Sequence, residues 1–214
     1  MNTAVTVIDY GIGNIFNIVR ALEACGGSVT IATDQNTYRD NTHVVLPGVG
    51  AFENGMRGLS DRGLIPKIFE HVADGGFLLG ICLGMQMLLN TSLEFGRHTG
   101  LGLIPGTNKP IPNVGSDGEP HKIPHIGWNE LEPTSLGAWE DTFLKDHDPK
   151  KAVYFVHSFM GLPEDKRHCV ATADYNGIAI PAVLNDGKVF GSQFHPEKSG
   201  EVGLSMLRSF LQLR

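Results

Sequence analysis

Cysteine is scarce in this 214-residue chain: there are three, Cys25, Cys82 and Cys169, odd in number and far apart. That spacing excludes a disulfide framework and fits a reducing, cytoplasmic setting. No C-x-x-C or H-E-x-x-H pairing occurs, so neither a metal nor any other cofactor is expected. Basic stretches are missing as well. With 17 Lys and Arg against 23 Asp and Glu the net charge is −6, with no block of like charges and no basic stripe, so nucleic acid and anionic membrane are not expected partners. Long apolar runs are also lacking. The opening "MNTAVTVIDYGIGN" has no basic leader and is broken at Asp9, which argues against a signal peptide or a membrane-spanning segment. No repeat or linker divides the chain, and a hydrophobic content of 41% supports a sizeable core, so one domain over residues 1–214 is expected.

What is present alternates. Residues 4–9, 28–32, 43–47 and 77–81 are short apolar, strand-like runs. Between them, 14–25 carries Ile15, Ile18, Val19 and Leu22 on one helical face before Gly26 and Gly27, and 52–60, 63–73 and 83–90 read as helices. Such alternation predicts an α/β fold with a mostly parallel central sheet flanked by helices. The second half differs: 92–125 is rich in Gly and Pro and weakly periodic, and strands are expected at 126–132, 152–158, 169–175 and 180–185. Asp186-Gly187 between two apolar runs signals a hairpin, which adds an antiparallel region, and the apolar spacing after residue 200 predicts a closing amphipathic helix.

Three stretches carry chemistry. Gly80-Ile81-Cys82-Leu83-Gly84 is G-x-C-x-G where a strand becomes a helix, the setting of a nucleophile elbow. A tight strand-to-helix turn would crowd side chains two positions either side of the nucleophile, hence the glycines. The helix start would favour a thiolate, and the Leu83 N–H would be free for an oxyanion. Alone, the motif also fits a buried structural cysteine, and Cys25 and Cys169 are read that way. "QFHPEKSG" sets His195 and Glu197 two apart around Pro196, and in an extended segment both would face one side, the carboxylate orienting the imidazole. Alone, it also fits a surface turn. "LPGVGAF" sets Gly48, Val49 and Gly50 after a strand, where Val49 or Gly50 could offer backbone N–H groups to an oxyanion or a substrate carboxylate; a plain turn is the other reading.

PGVG, GICLGMQ and HPEKS in this order resemble the class I glutamine amidotransferases, with their flavodoxin-like architecture and Cys-His-Glu triad. "DYGIGN" (9–14), "GLGLIPG" (100–106), "PHIGWN" (124–129) and "YFVHSF" (154–159) resemble, more narrowly, the glutaminase subunits of imidazole glycerol phosphate synthase in histidine biosynthesis. The resemblance implies that Cys82 attacks the side-chain amide of L-glutamine, that His195 moves the protons and that Glu197 orients His195. It implies that Gln86, one turn beyond Cys82, contacts the substrate and that Gly50, Ser158 and Phe159 hold its amino-acid end. It implies that the 47–50 strand, with Gly48 and Val49, supplies an oxyanion donor after a peptide reorients. It further implies a heterodimer in which ammonia passes to a (β/α)₈-barrel cyclase making imidazole glycerol phosphate and AICAR, with Asn14, Trp128, Asn129, Tyr154 and Lys198 facing the barrel.

"GEPHKIPHIGWN" (118–129) also resembles a paralogous group that feeds ammonia to a cyclase-like partner and a ligase in surface-polysaccharide sugar synthesis, which would change the acceptor and not the triad. A thiol peptidase on a related fold is a competing reading, opposed by Gln86 and the PGVG segment; a non-catalytic subunit is opposed by the intact Cys82, His195 and Glu197. Gly11-Ile12-Gly13 is not a dinucleotide fingerprint, since Phe16 stands at the third glycine position. His121 and His125 are four apart, but Pro124 argues against a helical metal pair. His157 is read as a structural or interface residue.

Overall fold

The computed structural model describes residues 2–11 and 15–214. The first half runs β1 (Thr3–Ile8), α1 (Ile15–Ala24), β2 (Gly27–Ala32), β3 (His43–Gly48), α2 (Phe52–Asp61), α3 (Leu64–Ala73), β4 (Phe77–Cys82) and α4 (Leu83–Met87). Then come β5 (Leu89–Ser92), β6 (His98–Thr99), β7 (Ile104–Pro110), β8 (His125–Asn129), β9 (Glu132–Pro133), β10 (Val153–His157) and β11 (Phe159–Pro163). The chain finishes with β12 (Cys169–Tyr175), β13 (Ile178–Asp186), β14 (Val189–Ser192) and α5 (Gly200–Leu211).

An eight-stranded sheet in the order β2-β1-β3-β4-β14-β13-β12-β9 forms the centre. β2, β1, β3, β4 and β14 are mutually parallel, whereas β13, β12 and β9 join antiparallel. The α/β fold with an antiparallel portion is as expected. Alternation along each strand divides the core. Val45, Leu79 and Ile81 pack with Ile18 and Leu22 of α1 and Met206, Leu207 and Phe210 of α5. Val44, Leu46 and Leu78 pack on the other face with Leu59 of α2 and Leu64 and Ile68 of α3. Every residue of β4 is buried, as a parallel strand covered on both faces requires.

Two smaller sheets stand apart from this order, one pairing β8 with β10 and one ordered β11-β7-β5-β6. The second lies largely in the Gly- and Pro-rich stretch where no strands were expected. There the partners supply the order: Phe159–Pro163 pairs with Gly106–Pro110, so tertiary pairing stands in for local periodicity. α4 ends at Met87, short of the expected 90, because Leu89 enters β5. Among the described residues, no helix is long and apolar enough to cross a membrane.

Candidate functional site

The parallel order decides what meets at the carboxyl end of the sheet. β4 lies between β3 and β14, with Gly48 level with Cys82 and Ser192 level with Ile81. The residues that leave these three strands therefore emerge side by side, although more than a hundred positions separate Cys82 from His195. They border one cleft of about 280 Å³, lined by Val49, Gly50, Cys82, Leu83, Gln86, Glu94, Val156, His157, Ser158, Phe159 and His195. A crevice beyond the carboxyl ends of parallel strands is where open α/β sheets bind ligands.

Cys82 has φ +55 and ψ −110, in the left-handed half of backbone space where a side chain is strained. The glycines permit this turn. A Cβ at Gly80 would come within 2.7 Å of the Gly84 carbonyl carbon, and one at Gly84 would run into the Leu46 carbonyl oxygen of β3. Because that obstacle is backbone in a central strand, Gly84→Ala is expected to destabilise the fold by about 1–3 kcal/mol, read as a lowered melting temperature. An alanine variant that melts with the parent would show that the turn has slack. α4 has only five residues, so its first-turn N–H groups, Leu83 among them, rather than a long macrodipole, stand beside the sulfur.

His195 and Glu197 meet by a route different from the one expected. Pro196–Lys198 is a 3-10 turn rather than an extended segment, with Pro196 at its first position and His195 as the extended residue before it. The turn folds Glu197 back so that His195 Nδ1–H donates to Glu197 Oε1 at 2.7 Å. Ser199 fixes it: its hydroxyl donates to the His195 carbonyl at 2.7 Å and accepts from the Tyr154 N–H at 3.0 Å, while the His195 N–H donates to the Tyr154 carbonyl. With Nδ1 held by the carboxylate, Nε2 is the face of the ring left for the sulfur; it is buried and has no hydrogen-bond partner among the described residues. Burial alone would lower the His195 pKa, but the neighbouring Cys82 sulfur and the Glu197 carboxylate outweigh it and raise it to about 9. The sulfur and the carboxylate thus both favour the protonated ring.

Gln86 turns toward the same cleft, but its amide nitrogen is committed, donating to the Phe159 carbonyl at 3.0 Å and to Gln193 Oε1 at 3.1 Å. Gln193 is fully buried and brings its own amide nitrogen to 3.9 Å from Cys82 Sγ. Glu94 also lines the cleft and accepts the Phe52 N–H at 2.6 Å, at the start of α2. Glu94, Gln193 and Ser199 did not stand out in the sequence. Only Gln193 and Ser199 had a signal, their place on either side of His195-Pro196-Glu197; Glu94 sits in a stretch without periodicity. Cys169 is buried, and that burial pushes its thiol up to about 11, which suits an inert structural role. Cys25 is half-buried, its thiol donating to the Leu204 carbonyl.

In the cleft wall, His157 is held near a pKa of about 4 by burial and is therefore neutral; Nδ1–H donates to the Phe159 carbonyl at 2.8 Å. Its Nε2 lies 3.0 Å from Nδ1 of buried His125, which stacks between Phe155 and Tyr175. On the outer side of β8, Trp128 and Ile126 are each 57% exposed, and Trp128 meets Tyr154 edge-on across the β8–β10 pair. Lys198 is exposed at the end of the histidine turn. The Asn129 amide is engaged inward, its nitrogen donating to the Asp174 carbonyl and its oxygen 2.9 Å from His125 Nε2. Asn14 lies outside the described residues. Among the described residues no group of three or more His, Cys, Asp or Glu could hold a metal ion.

The family model for glutamine amidotransferase class-I matches residues 6–213. The imidazole glycerol phosphate synthase subunit HisH 1 of Legionella pneumophila (strain Lens) is 49% identical over 212 residues, covering 99% of this chain and 100% of its own. The HisH subunit of Geobacillus thermodenitrificans is 42% identical over 209 residues, covering 98% and 95%. Among solved structures, PurLQS from Thermotoga maritima superposes with a TM-score of 0.72 at 22% identity over 99% of each chain, a likeness of fold. From residue 6 to residue 213, then, the chain is built and spelled as a class I glutamine amidotransferase, and within that enzyme family it belongs to the HisH branch.

Proposed function

We propose that the chain is the glutaminase subunit of an imidazole glycerol phosphate synthase, working as one domain in the cytoplasm. The observation that carries this is the convergence of Cys82, the His195–Glu197 pair and the Gly48–Gly50 turn on one amino-acid-sized cleft. In the reaction, His195 Nε2 holds the proton given up by the Cys82 thiol and the sulfur attacks Cδ of L-glutamine. The carbonyl oxygen becomes an oxyanion, met by the Leu83 N–H and by an N–H of the Val49–Gly50 segment. Collapse breaks the C–N bond as His195 passes its proton to the leaving nitrogen, which departs as ammonia. Water, deprotonated by His195, then attacks the thioester and releases glutamate, returning the thiol. Such proton transfer contributes roughly 10²–10⁴ in rate, and one oxyanion donor about 10²–10³. Glu94 is proposed to meet the substrate ammonium, with Gln86, Ser158 and Phe159 lining the same cleft.

Ammonia released into water would be protonated and lost as a nucleophile, so the subunit needs a consumer docked against it. The exposed Trp128 and Ile126 beside Tyr154 and Lys198 form the surface proposed to receive the (β/α)₈-barrel cyclase that makes imidazole glycerol phosphate and AICAR. The polysaccharide-pathway alternative is not favoured, because end-to-end relatives carry the HisH name. Glutamate release is expected to be slow from the chain alone and to rise about 10²-fold or more with the cyclase subunit and its nucleotide substrate. Trp128→Ala, removing a hot-spot aromatic, is expected to weaken that complex by about 2 kcal/mol, roughly 30-fold in Kd by titration. Full glutaminase activity without a partner would argue against gated coupling.

A further inference from the structure

Tyr10 follows β1 at the same edge of the sheet as the cleft, one strand beyond β3. It is 1% exposed, and its hydroxyl is buried without a hydrogen-bond partner among the described residues. Buried hydroxyls are costly when unpaired, so one kept beside a reactive centre calls for an explanation. Packing alone does not require it, since the ring is what fills the space: a Cβ at Gly58 of α2 would come within 2.7 Å of the Tyr10 carbonyl and 3.0 Å of the ring. The hydroxyl lies against Gly48: a Cβ added there would collide with it and would also come within 3.0 Å of Leu83 Cβ and 3.1 Å of the Gly84 nitrogen. It is also close enough to Cys82 for the two to interact electrostatically.

Gly48 is the last residue of β3, and the segment beyond it up to Phe52 belongs to neither strand nor helix. Gly48 and Gly50 flank Val49, Gly50 has φ +93, and Val49 is 40% exposed. In a trans peptide N–H and C=O point in opposite directions. A Gly48–Val49 peptide that aims its N–H into the cleft therefore aims the Gly48 carbonyl away from it. We infer that the Tyr10 hydroxyl is a positioning group that donates to the Gly48 carbonyl in that orientation and so holds the Val49 N–H ready for the oxyanion. The buried donor is retained because it is used when the turn presents its N–H.

This rests on the proposed glutaminase activity. The test is Tyr10→Phe in the complex with the cyclase subunit, with glutamine and, separately, with ammonium as the nitrogen source. The glutamine-dependent kcat is expected to fall about tenfold, as for one lost hydrogen bond, with KM, ammonium-dependent turnover and melting temperature kept. An unchanged kcat in the folded variant would overturn the inference, and so would a kcat that falls together with melting temperature, which marks a packing residue. A parent complex lacking glutamine-dependent turnover would sink the function and this inference with it; a parent that turns over and a variant that equals it sinks this inference alone.

Discussion

Cys82→Ala is expected to abolish glutamine-dependent synthesis by the complex, a loss of roughly 10⁴-fold or more, while leaving synthesis from ammonium salts intact. The size of the loss follows from the chemistry: no other thiol lines the cleft, and the sulfur is the atom that forms and breaks the bond to the substrate carbonyl carbon. Cys82 is the cysteine that borders the cleft, while the Cys25 and Cys169 thiols are committed to the backbone carbonyls of Leu204 and Ala171. The selectivity of the loss follows from the division of labour, since ammonium bypasses the sulfur. Alanine is a mild test of structure here. It keeps the Cβ that the strained φ +55 turn already accommodates, so the variant should melt within a few degrees of the parent. Losing both activities would mean that the sulfur holds the complex together; losing neither would place the glutamine chemistry elsewhere.

The parts of the site that could be read in advance are those where backbone geometry dictates residue type. Gly80 and Gly84 are legible because backbone stands where their Cβ atoms would be. His195-Pro196-Glu197 is legible because two side chains that must touch are nearly adjacent, although the touch is made by a 3-10 turn and not by an extended strand. Parallel order could be foreseen from alternating strands and helices, and it brings Gly48 and Ser192 to the level of Cys82 and Ile81. What could not be read depends on pairing across the chain. β7 has the sequence IPGTNKP, which has no period; its order comes from β11 and β5. Glu94 reaches the cleft because β5 and β6 carry it there, and it caps α2 from 42 positions away. Tyr10 belongs to a motif that was noticed, but nothing local says that its hydroxyl would be buried against Gly48.

Glu197→Gln should lower glutaminase turnover by about 10²–10⁴ and shift its pH dependence toward acid. Glutamine keeps the size of the side chain and can still accept from His195 Nδ1–H, but it removes the negative charge 2.7 Å from the ring. In the parent, burial works against the imidazolium, and Cys82 and Glu197 together outweigh it to give a pKa of about 9. His195 therefore keeps the proton it must hand to the departing nitrogen up to about pH 9, and the alkaline limb of kcat should fall there. Without the carboxylate, burial regains ground, the pKa drops, and that limb moves to lower pH. Stability carries the same sign. A histidine whose folded pKa lies above its ordinary 6.5 stabilises the fold fully below 6.5, and that contribution is lost as pH rises through about 9. Melting temperatures of parent and variant should therefore differ most in acid, above the range where carboxylates themselves protonate, and converge near pH 9–10. Imidazole titration by NMR reads the shift directly. A variant whose His195 titrates where the parent's does would show that the sulfur alone sets the charge, and the carboxylate would be left with orienting the ring.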